Sequence, residues 1–169
     1  EAGMSAHLDA IGNVCGRYEG ERPGLPALVL GSHYDTVRDA GRWDGPLGVI
    51  TAIACVADLN RRGRRLPFAI EIVGFADEEG VRFASTLLGS RAVAGTFDES
   101  VLNSRDRAGI SMRDALIAFG LDPDQIGKAA RARRELLERG RTGVRHGAAH
   151  PGGDVVQQVL HAGALGVQD

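Results

Sequence analysis

An α/β fold, with a mixed central sheet flanked by helices, is predicted by three observations. Two stretches, Leu25–Leu30 and Pro67–Phe75, are short, nearly continuous apolar runs, and the second carries the β-branched Ile70, Ile72 and Val73. Between them, Pro46 to Asn60 places Leu47, Val49, Ile50, Ile53, Ala54, Ala57 and Leu59 at helical spacing. Strands alternating with helical segments argue for a layered α/β sheet domain.

The elements follow in order. Ser5 to Gly20 alternates apolar and polar residues around Gly12-Asn13, which predicts a hairpin of two short strands. Glu21-Arg22-Pro23-Gly24 is a turn, and Leu25–Leu30 is a strand buried on both faces that stops at Gly31-Ser32. Pro46 suits a first helical turn. The cluster Arg61-Arg62-Gly63-Arg64-Arg65 closes that helix as C-terminal cations with a glycine cap, the alternative being an anion patch. Helices are predicted over Leu87–Ala94 and Ser111–Phe119, the latter with Ser111 as N-cap, Asp114 three residues on and Gly120 as stop. Gln125 to Glu138 reads as one further, strongly charged helix.

Composition narrows the partners. The 169 residues are 43 % hydrophobic and 25 % charged, which is ordinary for a globular protein. The 20 basic and 22 acidic residues are dispersed and leave a net charge of −2, so no nucleic acid and no anionic membrane is expected as partner; a small molecule is. No apolar run approaches the roughly 20 residues of a membrane span, and no basic-then-apolar leader opens the chain, so a cytoplasmic location is expected. Cys15 and Cys55 stand in unrelated contexts and are expected as free thiols. Glu1 in place of an initiator methionine leads us to expect a piece of a longer chain.

Metal-competent side chains collect in three places, each at or near the end of a predicted strand, where open α/β sheets put their ligand crevice. They are Gly31-Ser32-His33-Tyr34-Asp35-Thr36-Val37, Arg42-Trp43-Asp44-Gly45 and Asp77-Glu78-Glu79-Gly80. His33 and Asp35 in extended backbone point to the same side, so the carboxylate can brace a metal-binding ring. Asp44 in an Asp-Gly turn is a short, rigidly held carboxylate able to bridge cations. Glu78 and Glu79, being adjacent, diverge; one can bind metal while the other faces water. Each stretch alone has an everyday reading: a capped strand end, a turn, a solvated acidic face. Together, carboxylates gathered at neighbouring strand ends repel one another unless a cation is present.

These stretches, with Gly41-Arg-Trp-Asp-Gly-Pro-Leu-Gly-Val49, Phe75-Ala-Asp-Glu-Glu-Gly-Val-Arg-Phe83, Leu88-Gly-Ser-Arg-Ala-Val-Ala-Gly-Thr96, Ala108-Gly-Ile-Ser111 and Phe119-Gly-Leu-Asp-Pro123, resemble the N-carbamoyl-L-amino-acid hydrolase and allantoate amidohydrolase group of the zinc aminoacylase and carboxypeptidase superfamily. The likeness runs from the start to about Ala130. It implies a zinc-exopeptidase-like catalytic domain, here truncated, over residues 1–138, followed by a divergent tail over 139–169.

By that resemblance His33 binds one metal, Asp44 bridges two, Glu79 binds the second, Asp35 orients His33, and Glu78 is the general base. The metal would be Zn²⁺, with Mn²⁺ or Co²⁺ as possible substitutes, since nitrogen and oxygen ligands without thiolates suit all three. The implied reaction is hydrolysis of a ureido or amide C–N bond, yielding amino acid, carbon dioxide and ammonia from an N-carbamoyl amino acid. Two other readings are a zinc exopeptidase or aminoacylase, and a non-catalytic remnant that folds or pairs with a fuller copy.

The family's His-Ile-Glu-Gln-Gly motif and its final histidine ligand have no counterpart in this sequence. Gly140–Asp154 is basic and glycine-rich instead, as a reading-frame change or a divergent ending would produce, and His146 or His150 stands near the expected ligand position. The resemblance implies dimerisation through an inserted domain that is not expected within these 169 residues, so dimerisation is not carried over.

Overall fold

A computed structural model of the chain describes residues 2–137. The alternating N-terminal stretch forms the predicted hairpin: β1 (Ser5–Leu8) pairs antiparallel with β2 (Val14–Tyr18), Ser5 opposite Arg17 and Leu8 opposite Val14. The Asp9 carboxylate closes the turn by accepting from the N–H groups of Ile11 (3.1 Å) and Asn13 (2.8 Å). β3 (Ala27–His33) runs parallel to β4 (Ala69–Phe75), while β2 lies antiparallel on β4's other side, giving a mixed sheet in the order β1-β2-β4-β3.

A parallel pair needs a crossover, supplied by helix α1 (Pro46–Arg61) with Pro46 in its first turn. The face of α1 that packs on the sheet is Val49, Ala52, Val56 and Leu59, against Tyr18, Ile70 and Ile72. Leu47, Ile50 and Ile53, which share the predicted helical spacing, stay exposed. As predicted, the arginines close the helix: Arg62 pairs with Asp58 at 2.7 Å and Gly63 takes a positive φ of 62°.

The opposite face of the sheet, with Cys15, Val73 and Phe75, is covered by α2 (Leu88–Ala94). Beyond it Ile11, Phe83, Leu88, Ala92, Leu102, Met112, Ile126 and Ala129 form a second core, joined by α3 (Met112–Phe119) and the 3₁₀ turn Glu99–Asn103. Ser111 caps α3 by accepting from Asp114 N–H at 3.1 Å, and Gly120 ends it in the left-handed region, both as predicted.

Two expectations are corrected. β3 does not stop at Gly31-Ser32 and is not buried on both faces. It continues to His33 at the sheet edge, half-buried, and among the described residues only Leu136 bridges its outer side, at Ala27, with Leu137 N–H donating to Ala27 O at 2.9 Å. The charged helix Gln125–Glu138 is instead a 3₁₀ segment Pro123–Ala129, an extended break at Ala130, and a short 3₁₀ turn Arg133–Glu135. Its backbone is diverted because Arg131 N–H donates to Val93 O at 2.9 Å and the Arg131 guanidinium reaches the buried Glu71 at 2.6 Å. These tertiary bonds outweigh helical propensity. Residues 138–169, with the proposed tail, His146 and His150, lie outside the described residues. Among the described residues no helix is long and apolar enough to cross a membrane.

Both cysteines are free, Cys15 buried and Cys55 exposed. Burial, aided by the negative charge of Asp9, pushes the Cys15 thiol up from its ordinary 9.0 to about 11. A thiol reagent at pH 8 is therefore expected to modify Cys55 and spare Cys15 until the chain unfolds. Between pH 9 and 11 the unfolded thiol ionises while the folded one holds its proton, so stability falls by up to about 1.4 kcal/mol per pH unit from this group. Denaturant midpoints against pH check this: the alkaline slope should flatten in Cys15→Ala.

Candidate metal centre

The site grows from the carboxyl ends of the parallel strands β3 and β4. His33 is the last residue of β3, and the chain then turns, held by Tyr34 N–H donating to Phe75 O at 3.2 Å and Tyr34 O–H donating to Gly12 O at 3.0 Å. The His33 Nδ1 lies 2.7 Å from the carbonyl oxygen of Asp35. A carbonyl only accepts, so Nδ1 carries a proton, and in the neutral ring that leaves Nε2 with the lone pair a metal ligand needs.

That Nε2 faces Asp44 Oδ1 at 3.9 Å and Glu79 Oε1 at 3.7 Å. Ligand atoms of His33, Asp44 and Glu79 all lie within 4.8 Å of one another, and among the described residues this is the one group of three or more such side chains so arranged. All three are half-buried. Gly45 makes the approach possible: its φ is 74°, and a Cβ there would sit 2.5 Å from His33 Nδ1. Ser32 O–H pins the same turn by donating to Gly45 O at 2.8 Å. Thr36 O–H donates to Asp44 Oδ2 at 3.1 Å, fixing one oxygen of that carboxylate and leaving the other toward His33.

Asp35 does more than the sequence implied, and by a different atom. Its carbonyl, not its carboxylate, meets the ring; the carboxylate is 3.9 Å from Nδ1 and instead accepts from the N–H groups of Glu78 (3.2 Å) and Glu79 (3.1 Å). A strand-based expectation of parallel side chains fails here because the strand ends at His33. The effect is to tie the two acid-bearing loops together.

Glu78 points elsewhere from Glu79. Ser90 O–H lies 3.1 Å from Glu78 Oε2 and 3.3 Å from Oε1. Burial raises the Glu78 carboxyl above its ordinary value, opposed by Ser90 and His33 and reinforced by Asp35 and Glu79. Asp77, at a positive φ of 49°, is pushed up to about 6 by burial and then by Asp35.

Sequence reasoning missed Ser90, Thr36 and Asn13. Asn13 is fully buried; its amide donates to Asp9 Oδ2 (2.8 Å) and Gly89 O (3.1 Å), and its oxygen accepts from Ala76 N–H (2.9 Å). It thereby clamps both stems of the loop that carries Glu78 and Glu79. Gly89 has to be glycine, since a Cβ would stand 2.2 Å from Asn13 Oδ1.

A mixed α/β domain with one histidine and two carboxylates converging beside parallel strand ends offers a donor set able to hold a divalent metal ion. Comparison with known proteins agrees. Residues 13–142 match the family described as Peptidase family M28, a metal-dependent family, and the chain belongs to it.

It is 45 % identical over 131 residues to the N-carbamoyl-L-amino acid amidohydrolase of Geobacillus stearothermophilus, covering 78 % of this chain and 32 % of that protein. To the allantoate deiminase of Arabidopsis thaliana it is 48 % identical over 124 residues, covering 72 % and 24 %. The crystal structure of a hydantoinase/carbamoylase family amidase from Burkholderia ambifaria superposes with a TM-score of 0.65 at 38 % identity, covering 70 % of this chain and 29 % of that one. The chain thus spans about a third or less of the length of these relatives.

Proposed function

We propose that this chain is the metal-binding part of an amidohydrolase that cleaves the C–N bond of N-carbamoyl amino acids or related ureido compounds. The observation that carries the reading is the convergence of His33 Nε2, Asp44 and Glu79 within 4.8 Å, with Glu78 held beside them. The donor set fits a divalent ion: one imidazole lone pair and two hard carboxylates match Zn²⁺, Mn²⁺ or Co²⁺. His33, Asp44 and Glu79 would hold it, and when bound such an ion polarises an amide carbonyl and acidifies water.

The chain's own residues supply the rest. Glu78 takes a proton from the attacking water and returns it to the leaving nitrogen; burial moves its carboxyl toward neutrality, the direction a base working near pH 7 requires. Asp35 keeps the His33 proton on Nδ1 through its carbonyl and sets the backbone of both glutamates through its carboxylate. For an N-carbamoyl amino acid, one water consumed gives the amino acid, carbon dioxide and ammonia.

The test is isothermal titration of the purified chain with Zn²⁺ and with Co²⁺. Uptake is expected, and Asp44→Ala should weaken it by at least about 10–100-fold; no uptake, or equal uptake by the variant, rejects the site. Since the family description is a peptidase's, a substrate panel of N-carbamoyl amino acids, allantoate, N-acyl amino acids and dipeptides assigns the reaction. Ammonia release by the chain alone would exclude the non-catalytic reading.

A further inference from the structure

Adjacent glutamates offer a cation two chemically equal carboxylates, and something must decide between them. The Glu78 backbone is fixed from both sides, its N–H donating to Asp35 Oδ1 at 3.2 Å and its carbonyl accepting from Leu87 N–H at 2.8 Å. Its side chain is then met by Ser90, which is 4 % exposed and sits on the rigid first turn of α2. Among the described residues, no group donates a hydrogen bond to the Glu79 carboxylate, which lies 3.7 Å from His33 Nε2.

Resting on the proposed metal site, we infer that Ser90 is a positioning residue that selects the ligand: by holding Glu78 it leaves Glu79 as the carboxylate available to a cation. Ser90 has another acceptor within reach, the Leu87 carbonyl at 3.2 Å, the usual back-bond of a helical serine. One hydroxyl proton cannot serve both fully. An ionised carboxylate is the stronger acceptor by roughly a factor of two, so the bond to Glu78 prevails. Without it, the Glu78 side chain regains its rotamers and competes for the ion.

One feature supports selection over simple packing: Ser90 lies one residue after Gly89, whose carbonyl is held by Asn13, so the hydroxyl is presented from a fixed point.

The experiment compares Co²⁺ binding, by calorimetry and by visible absorption, in the wild-type chain and in Glu79→Ala, Ser90→Ala, the double variant, and Glu79→Ala combined with Ser90→Thr. Glu79→Ala should lose about 10–100-fold in affinity. Adding Ser90→Ala should recover about 10-fold of that loss because Glu78 is released to take the vacant place; adding Ser90→Thr, which keeps the hydroxyl, should recover none. Ser90→Ala alone should shift the Co²⁺ band as a second carboxylate enters, which a merely structural serine would not cause. A double variant that binds no better than Glu79→Ala, in a protein whose wild type binds Co²⁺, overturns the selection and leaves the metal site standing. A wild type that binds no Co²⁺ overturns both.

Discussion

Replacing Asn13 with leucine is expected to destabilise the fold by about 2–4 kcal/mol, because the isosteric apolar side chain strands one buried backbone donor at about 1–3 kcal/mol and removes hydrogen bonds from Gly89 C=O and from Asp9 worth about 1 kcal/mol more. The stranded donor is Ala76 N–H; Gly89 C=O, inside α2, loses its second donor. That is a large share of the 5–15 kcal/mol a domain of this kind possesses. Urea denaturation measures it. A loss under about 1 kcal/mol would mean that water or a rearranged loop satisfies those groups, and that Asn13 is not the clamp described.

The same substitution should reach the metal site, which sets it apart from an ordinary core defect. Ala76 and Gly89 bracket the loop bearing Glu78 and Glu79, so without the clamp the stems are joined only by backbone bonds such as Gly89 N–H to Ala76 O (3.1 Å), and the Glu79 carboxylate can drift from His33 Nε2. Co²⁺ affinity measured well below the unfolding transition should fall by about 10-fold or more, as expected when the groups that orient ligands are lost. Asn13→Asp separates the donor from the acceptor contribution. It keeps an oxygen for Ala76 N–H but loses both donated bonds and sets a second carboxylate against Asp9. Its carboxyl would be harder to ionise in the fold than in the unfolded chain, so stability should return as pH falls, opposite in sign to a salt-bridged carboxylate.

Asn13 also shows where reading the sequence stops. His33, Asp44 and the Glu78-Glu79 pair could be picked out because their chemistry is local: each stands next to a turn glycine or a strand end, and carboxylates at such positions repel unless a cation intervenes; the choice of Glu79 over Glu78 as ligand came from the family resemblance alone. The hairpin, α1 and α3 were equally legible, since Gly12, Pro46, Ser111 and Gly120 act on their immediate neighbours. Asn13 bonds residues 63 and 76 positions away, and Ser90 reaches back 12. Nothing beside them in the chain marks them as different from a turn asparagine or a helix serine.

The errors have the same origin. Asp35 was expected to brace His33 with its carboxylate because alternation along a strand puts both side chains on one side, and that premise ends with the strand. The exposed Leu47, Ile50 and Ile53 follow helical spacing as faithfully as the buried stripe does. Periodicity marks an apolar face but not which neighbour covers it. The misread helix 125–138 has adequate propensity and charge, and fails because a residue in its middle is claimed by a strand 60 positions earlier.

That claim, Arg131 on Glu71, carries the second large effect. Glu71 is a carboxylate in the central strand β4, with its side chain only 10 % exposed, and Arg131 reaches one of its oxygens through Nε (2.8 Å) and Nη2 (2.6 Å). Arg17, at 3.8 Å from the other oxygen, is a weaker partner because it is committed to Glu19 and to Leu25 O. Arg131→Met should therefore cost about 3–5 kcal/mol, the loss typical when one member of a buried pair is removed and its charge left behind. Replacing both, Arg131→Met with Glu71→Leu, removes the stranded charge as well, and two apolar side chains of similar volume are often neutral there. The double variant should be clearly more stable than Arg131→Met, and this ordering in denaturant titrations is the test. If the double variant is the worse of the two, the pair is a net source of stability, and the diversion of residues 130–137 onto the sheet is driven by charge attraction. If it is the better, the ion pair's contribution is one of register: it selects the extended path that brings Leu136 beside β3, over the helix that the local sequence would otherwise form.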